Sequence, residues 1–282
     1  MIVLSDIRAR AALLCLSGLG IGGLAITSAA AQALGQDALP RSELRVCADP
    51  NNLPFSNEKG EGFENKIAEL LGHEMSLPVK YFWFPQIIGF VRNGLQAGRC
   101  DLVMGTVAGD EIMQTTTPYY FTSYMFVFRA DKKLSSDLDD PMLKELHIGV
   151  VSGTPPSNLL VRHALMANAR PYALTVDTRY ESPAHQMLLD IASGAIDAGM
   201  VWGPFAGYYI KQEKLPLAMV KLNEEPGAPR LAYHIAMGVR GTEPDWRRRV
   251  NSAIREHQDE ITAVLRNYGV PLLDEQGTPL KP

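Results

Sequence analysis

LRVCADPNNLPFSNEKGEGF, residues 44–63, decides the fold. Leu44 to Ala48 reads as a short apolar strand. It stops at a polar loop, Asp49-Pro50-Asn51-Asn52, which passes through Pro54-Phe55 and a charged, glycine-bearing turn to a helix opening at Gly62-Phe63. A strand that ends on a polar loop facing a helix start is how open α/β sheets build ligand crevices. The same order recurs about a hundred residues later in LHIGVVSGTPPSNLL, residues 146–160. Two such units predict two similar lobes facing each other across a cleft.

Working outward, Phe63, Ile67, Leu70, Leu71 and Met75 repeat at helical spacing, and Pro78 opens a strand over 79–83. A second helix is expected over 86–97, with Ile87, Val91 and Leu95 on one face, and then a strand over 101–104. This is a β-α-β-α-β lobe, the pattern of a mostly parallel sheet. An apolar strand over 124–130 leads into a charged connector, 131–140, a candidate crossing between lobes. The second lobe reads as strand 147–151, helix 156–168, strand 172–176, helix 183–193, strand 197–202 and helix 204–213. The breaker-rich NEEPGAPR, 223–230, precedes a strand over 231–239. Thr242 with Asp245 starts a long amphipathic helix whose apolar stripe runs from Trp246 to Tyr268, ended by Gly269 and Pro271. The expected division is lobe 1 over 34–130 and 231–282, and lobe 2 over 131–230. Two crossings of this kind make a hinge that closes around a ligand.

Residues 1–33 read as a secretory signal. Arg8 and Arg10 form the positive end, 11–26 is an uncharged apolar run, and Ala29-x-Ala31 or Ala31-x-Ala33 offers the cleavage site. The run is shorter than the roughly 20 residues a spanning helix needs, so no membrane anchor is expected after cleavage. Cleavage after Ala31 leaves roughly 250 residues, enough for two lobes. A chain with 27 basic and 31 acidic residues and no basic stripe is a poor nucleic-acid binder.

Only Cys47 and Cys100 remain after the signal, and an exported chain with a small, even cysteine count favours one disulfide. If the strands that carry them are neighbours, the bridge closes a loop of about 53 residues and contributes on the order of 4 kcal/mol. Two buried free thiols are the alternative. Two cysteines alone do not make a closed zinc site, and the six histidines form no HExxH or close cluster, so no metal is expected. Ser152 lies in V-S-G-T rather than a G-x-S-x-G elbow, and no phosphate-cradling glycine motif is present. No nucleophile and base pair in the sequence, so there are no catalytic residues to name and no cofactor bound by the chain is expected.

The candidate cleft residues have two readings each. Asp49, Asn51 and Asn52 line the cleft or serve as turn formers. Thr154, before Pro155-Pro156, opens a helix whose N–H groups hold an anion, or is a plain cap. Trp202 is a contact for a partner or apolar ligand, or a core residue. Phe55 and Thr106 complete the set, while Trp83, Phe84 and Phe90 belong to the core or the cleft rim.

The succession of the strand, the PF loop, the GF helix, LQAGRCDLVMGT, TPYY, IGVVSGT and GAIDAGMVWGPFA resembles the type II periplasmic solute-binding fold over 42–270. In amino-acid-binding members an arginine grips the ligand carboxylate and an aspartate its amino group. The matching positions here are Ile112 and Trp202, so the resemblance implies that an amino acid is not the ligand, since an unpartnered buried charge is costly. RVCADPNNLPFSN, WFPQIIGFVRNGLQAGRCDLVMG, TTTPYY, IDAGMVWGPFAGYY and YGVPLLD look more narrowly like the binding-protein-like component encoded with quinoprotein methanol dehydrogenases, the J proteins of methanol-oxidation clusters. Where relatives carry an arginine before PYY, this chain has Thr117. The likeness implies a periplasmic, non-catalytic accessory of a dehydrogenase carrying pyrroloquinoline quinone, acting in its activation or assembly, with its cytochrome c as a second candidate partner. The alternative is the receptor of an ABC transporter for a small non-amino-acid solute.

Overall fold

The computed structural model describes residues 40–281; the expected secretory signal, 1–33, lies outside them. The first half of the chain supplies β1 (Leu44–Ala48), the two-residue strands β2 (Asn51–Asn52) and β3 (Ser56–Asn57), helix α1 (Phe63–Glu74), β4 (Val79–Trp83), β5 (Leu102–Val107), the short β6 (Gln114–Thr115) and β7 (Tyr120–Arg129). The second supplies β8 (Ile148–Val151), α2 (Pro155–Arg162), β9 (Ala169–Tyr172), α3 (Pro183–Ser193), β10 (Ala198–Trp202), α4 (Gly203–Gln212) and β11 (Leu217–Lys221). The chain then returns through β12 (Ala232–Val239) to α5 (Pro244–Glu256) and α6 (Gln258–Asn267).

One mixed sheet holds both halves, in the order β4-β1-β5-β12-β7-β10-β8-β9, with β6 and β11 at its side. β1 is parallel to β4 and to β5, and β8 is parallel to β9 and to β10; the pairs where the halves join, among β5, β12, β7 and β10, are antiparallel. Leu44 and Val46–Ala48 are buried, as expected of a strand covered on both faces. The first half buries Leu44, Val46, Phe63, Ile67 and Leu71 together with Trp246, Val250, Ile261 and Leu265 of α5 and α6, so the C-terminal helices complete its core. A small cluster around Cys47, Phe90, Leu95, Cys100 and Val103 covers its other face. Two more clusters, centred on Phe126 and Ile148 and on Val127 and Met187, flank the second half.

Several element boundaries differ from the sequence reading, each for a local reason. The helix expected over 86–97 is reduced to a π-helical turn, Arg92–Gln96, because Gly89 takes φ +96° and breaks the run. The helix expected over 156–168 stops at Arg162, and Ala164, at φ +55°, turns the chain. The strand expected over 172–176 lies at Ala169–Tyr172, in register with β8, which frees Ala173, Leu174 and Val176 to line the cleft. The long terminal helix breaks at His257, with φ −118° and ψ 24°, and its N-cap is Glu243 rather than Thr242.

The crossing between halves also differs. Residues 120–123 of β7 pair with β12, whereas 124–128 pair with β10 and 125–129 pair with β11, so one continuous strand carries the chain across. The chain returns beside it: Tyr124 N donates to Leu231 O at 3.0 Å, and Leu222 N donates to Tyr124 O at 3.2 Å. The charged connector 131–140 is therefore not the crossing; its Leu138 packs in the second half with Phe126 and Phe128. Lobe 1 as 34–130 with 231–282, and lobe 2 as 131–230, stays our proposed division, with the end of β7 pairing to β10 and β11 of the second half. Among the described residues no helix is long and apolar enough to cross a membrane.

Cys47 and Cys100 form the disulfide that the sequence favoured. β1 and β5 are adjacent, with Cys47 paired to Val103, and the two Cα atoms lie 5.4 Å apart. Gly94 makes room for the bridge, since a Cβ there would come within 2.3 Å of Cys47 Sγ.

Candidate functional site

A cleft of about 520 Å³ lies between the halves, where the C-terminal ends of β1 and β5 face the loops after β8 and β9. Of the sequence candidates, Asn51, Asn52, Phe55, Thr106, Thr154 and Trp202 line it. Asp49 lies just beneath and is 3 % exposed. Its carboxylate accepts hydrogen bonds from Asn51 N at 2.9 Å, from Gln86 N at 2.6 Å and, across the cleft, from Thr178 Oγ1 at 2.8 Å. Asn51 Nδ2 donates to Thr178 O at 3.0 Å and to Arg179 O at 3.3 Å, and Tyr209 OH donates to Leu53 O at 3.2 Å. Phe55 meets Phe205 edge-on at 5.2 Å. Asp49 and Asn51 thus latch the first-half loop onto the second half. Thr178→Val removes the bond to the carboxylate but keeps the shape, and a hydrogen bond to a charged group is worth about 1.5–3 kcal/mol. The variant is expected to lose stability in that range and to exchange amide hydrogens faster over 177–182. Unchanged exchange there would remove the latch from the argument.

Thr154 caps α2 and turns its own hydroxyl onto Val151 O at 2.6 Å. The first two residues of that helix are Pro155 and Pro156, which have no N–H to donate, so this helix start is a poor anion cradle. Trp202, at the end of β10, is half-buried; it meets Tyr124 at 5.0 Å and Tyr233 at 6.0 Å, both edge to face. Trp83 stacks on Tyr81 at 4.6 Å and packs on the first core. Ile112 is 64 % exposed and lies outside the cleft. Thr117 also points elsewhere: its backbone N and hydroxyl both donate to Asn251 Oδ1 in α5.

Sequence reasoning missed Glu64, Tyr120, Tyr124, Glu181, Phe205 and Tyr233, which also form the cleft wall. Glu64 is the second residue of α1, where an acidic residue reads as an ordinary partner of the helix dipole, so nothing in the periodicity marks it. In the fold its carboxyl sits against Gly105, where a Cβ would come within 2.4 Å of Oε1. Burial, followed by the nearby Asp49 carboxylate, pushes its pKa up to about 8. Burial, followed by Tyr233, pushes Tyr124 up to about 12, so its hydroxyl stays protonated at neutral pH. Among the described residues, none that lines the cleft is a lysine, arginine or histidine. Among the described residues no group of three or more His, Cys, Asp or Glu side chains is placed to hold a metal ion.

The sequence profile of the bacterial extracellular solute-binding proteins, family 3, matches residues 44–269. The chain is 32% identical over 267 residues to Protein MoxJ of Paracoccus denitrificans, spanning 87% of this chain and 95% of that protein. Among solved structures, periplasmic binding protein XoxJ from Methylobacterium extorquens AM1 is 42% identical, with a TM-score of 0.70, and covers 82% of this chain and 100% of its own. MxaJ from Methlophaga aminisulfidivorans MPT is 29% identical, with a TM-score of 0.72 and the same coverage.

Proposed function

The chain belongs to family 3 of the bacterial extracellular solute-binding proteins, and from that premise we propose that it is a periplasmic, non-catalytic accessory of a methanol dehydrogenase that carries pyrroloquinoline quinone. Its similarity to the J proteins of methanol-oxidation clusters along nearly its whole length carries this reading. The cleft supports it by what it holds. A receptor for amino acids needs a cation for the ligand carboxylate, and this wall offers none. Ile112 stands outside the cleft, and Trp202 puts an indole where those receptors place an aspartate.

An accessory need not turn over substrate; it acts by binding one state of the dehydrogenase better than another. The purified chain alone is expected to oxidise no alcohol and to bind no quinone. Added to its cognate dehydrogenase, or to that enzyme with its cytochrome c, it is expected to raise activity saturably or to speed assembly of the active form. Aromatic residues dominate interface hot spots, so Trp83→Ala and Trp202→Ala are the first variants to assay for lost association. Co-purification and steady-state assays decide the matter. No association, together with a tight small-molecule ligand, would favour the ABC-transporter receptor instead.

That second reading draws on the cleft between the halves and its latch. A solute at 100 times its dissociation constant would stabilise the protein by about 2.7 kcal/mol, readily seen as a thermal shift.

A further inference from the structure

We propose that the cleft takes a small organic ammonium ion, an alkylammonium or quaternary ammonium group held against aromatic rings with Glu64 as its counter-charge. The inference goes beyond the partnership with a dehydrogenase and does not depend on it.

Charge and shape of the wall carry the argument. Among the described residues, the ionisable groups lining the cleft are all acids or phenols: Glu64 from the first half, Glu181 from the second, and the tyrosines. An anion or a zwitterion would bury its carboxylate without a partner, whereas a cation meets only complementary groups. Trp202, Tyr124 and Tyr233 stand edge to face, an arrangement in which neighbouring ring planes enclose a concave, electron-rich corner. Phe55 and Phe205 extend the aromatic wall across the two halves. Aromatic faces attract alkylated ammonium groups through the ring quadrupole, most strongly at tryptophan, and do so best where water is excluded.

Glu64 supplies the charge. Among the described residues no group donates a hydrogen bond to its carboxyl. The titratable groups facing it are Asp49 just after β1, Tyr81 of β4, Tyr119 just before β7 and Tyr120 at its start. None of them carries a positive charge, so in the free protein Glu64 keeps its proton until pH rises towards about 8. A bound cation favours the carboxylate, so binding expels that proton. Affinity therefore rises with pH, by about tenfold per unit from pH 6 towards 8.

Calorimetry with tetramethylammonium and choline, set against the uncharged carbon isostere of choline, tests the proposal. Both cations are expected to bind, and the isostere to bind at least about tenfold more weakly, a difference of about 1.4 kcal/mol. Repeating the titration in buffers of different ionisation enthalpy should reveal proton release near pH 7. Glu64→Gln, which keeps the shape of the protonated acid, should retain its circular dichroism yet lose the cation preference and the proton release. Trp202→Leu, which leaves the carboxyl in place, should weaken cation binding while keeping its pH dependence; it also serves should Glu64→Gln fail to fold. Failure of both cations to bind, equal binding of the isostere, or a pH-independent affinity in the unaltered protein would overturn the proposal. Loss of cation binding with dehydrogenase association intact would sink this inference alone, and the reverse result would sink only the accessory role.

Discussion

Asp101→Ala is expected to lower stability by about 3–5 kcal/mol, the usual cost of stripping one partner from a buried ion pair. Asp101 is 2 % exposed and immediately precedes β5. Arg45 of β1 grips both carboxylate oxygens at 2.7 Å, and Arg240, just after β12, binds it as well. Arg240 also pairs with Glu243 at 2.8 Å, Glu243 with Arg41 at 2.9 Å, and Arg41 lies over the Trp246 ring at 4.2 Å. The Trp246 indole N–H donates to Asp101 O at 2.9 Å. The carboxylate thus ties β1 and the start of β5 to the end of the returning strand, while the backbone carbonyl of the same residue holds the first terminal helix. Its loss leaves Arg240, whose side chain is only 13 % exposed, with Glu243 as its remaining carboxylate partner and takes the bidentate partner from Arg45. For a domain of this size the change is about 10 °C in melting temperature. Burial alone would raise the Asp101 pKa, but the hydrogen bonds from Arg45 and Arg240 outweigh it and hold it below the usual carboxylate value. The stabilisation is therefore present at neutral pH and is lost as pH falls through the lowered pKa, in the acid range below pH 4. Chemical denaturation at pH 7 and at pH 3 checks both parts. A loss below about 1 kcal/mol at pH 7 would remove the network from the account of stability.

Replacing both Cys47 and Cys100 by serine is expected to cost about 4 kcal/mol, from the entropy that a 53-residue loop regains in the unfolded chain. The native state should change little, since β1 and β5 stay paired through their backbones and Phe90, Leu95 and Val103 still cover the site. Mass spectrometry of the unreduced protein should find the two cysteines linked and no alkylatable thiol. Reductant should bring the unaltered protein close to the variant in denaturation midpoint and leave the variant itself unmoved. Equal midpoints in the absence of reductant would count against a stabilising bridge.

Much of the frame could be read along the chain. The apolar runs of β1, β4, β10 and β12 and the stripes of α1, α5 and α6 lie where side-chain periodicity puts them, because period and burial are local properties. The cysteine pair was legible from compartment and count. Asn51, Asn52 and Thr154 could be proposed because a polar loop at a strand end announces itself in sequence, and the fold brings them, with Phe55, Thr106 and Trp202, to one cleft.

The sequence by itself determined the strand and helix order, the repeated strand–loop–helix unit and the residues that end the strands. The tertiary structure alone decided which of those ends meet. Tyr124, Trp202 and Tyr233 are separated by up to about a hundred residues, yet adjacent registers of β7, β10 and β12 bring them together. Thr178 reaches Asp49 only because β9 pairs with β8 three residues earlier than its apolar pattern suggests, leaving the following residues as a cleft loop. Glu64 is an ordinary first-turn glutamate until Gly105, the buried tyrosines and Asp49 close around it and raise its pKa. Strand register and desolvation depend on distant segments closing together, so no window of the chain encodes them, and they give this cleft its charge and shape.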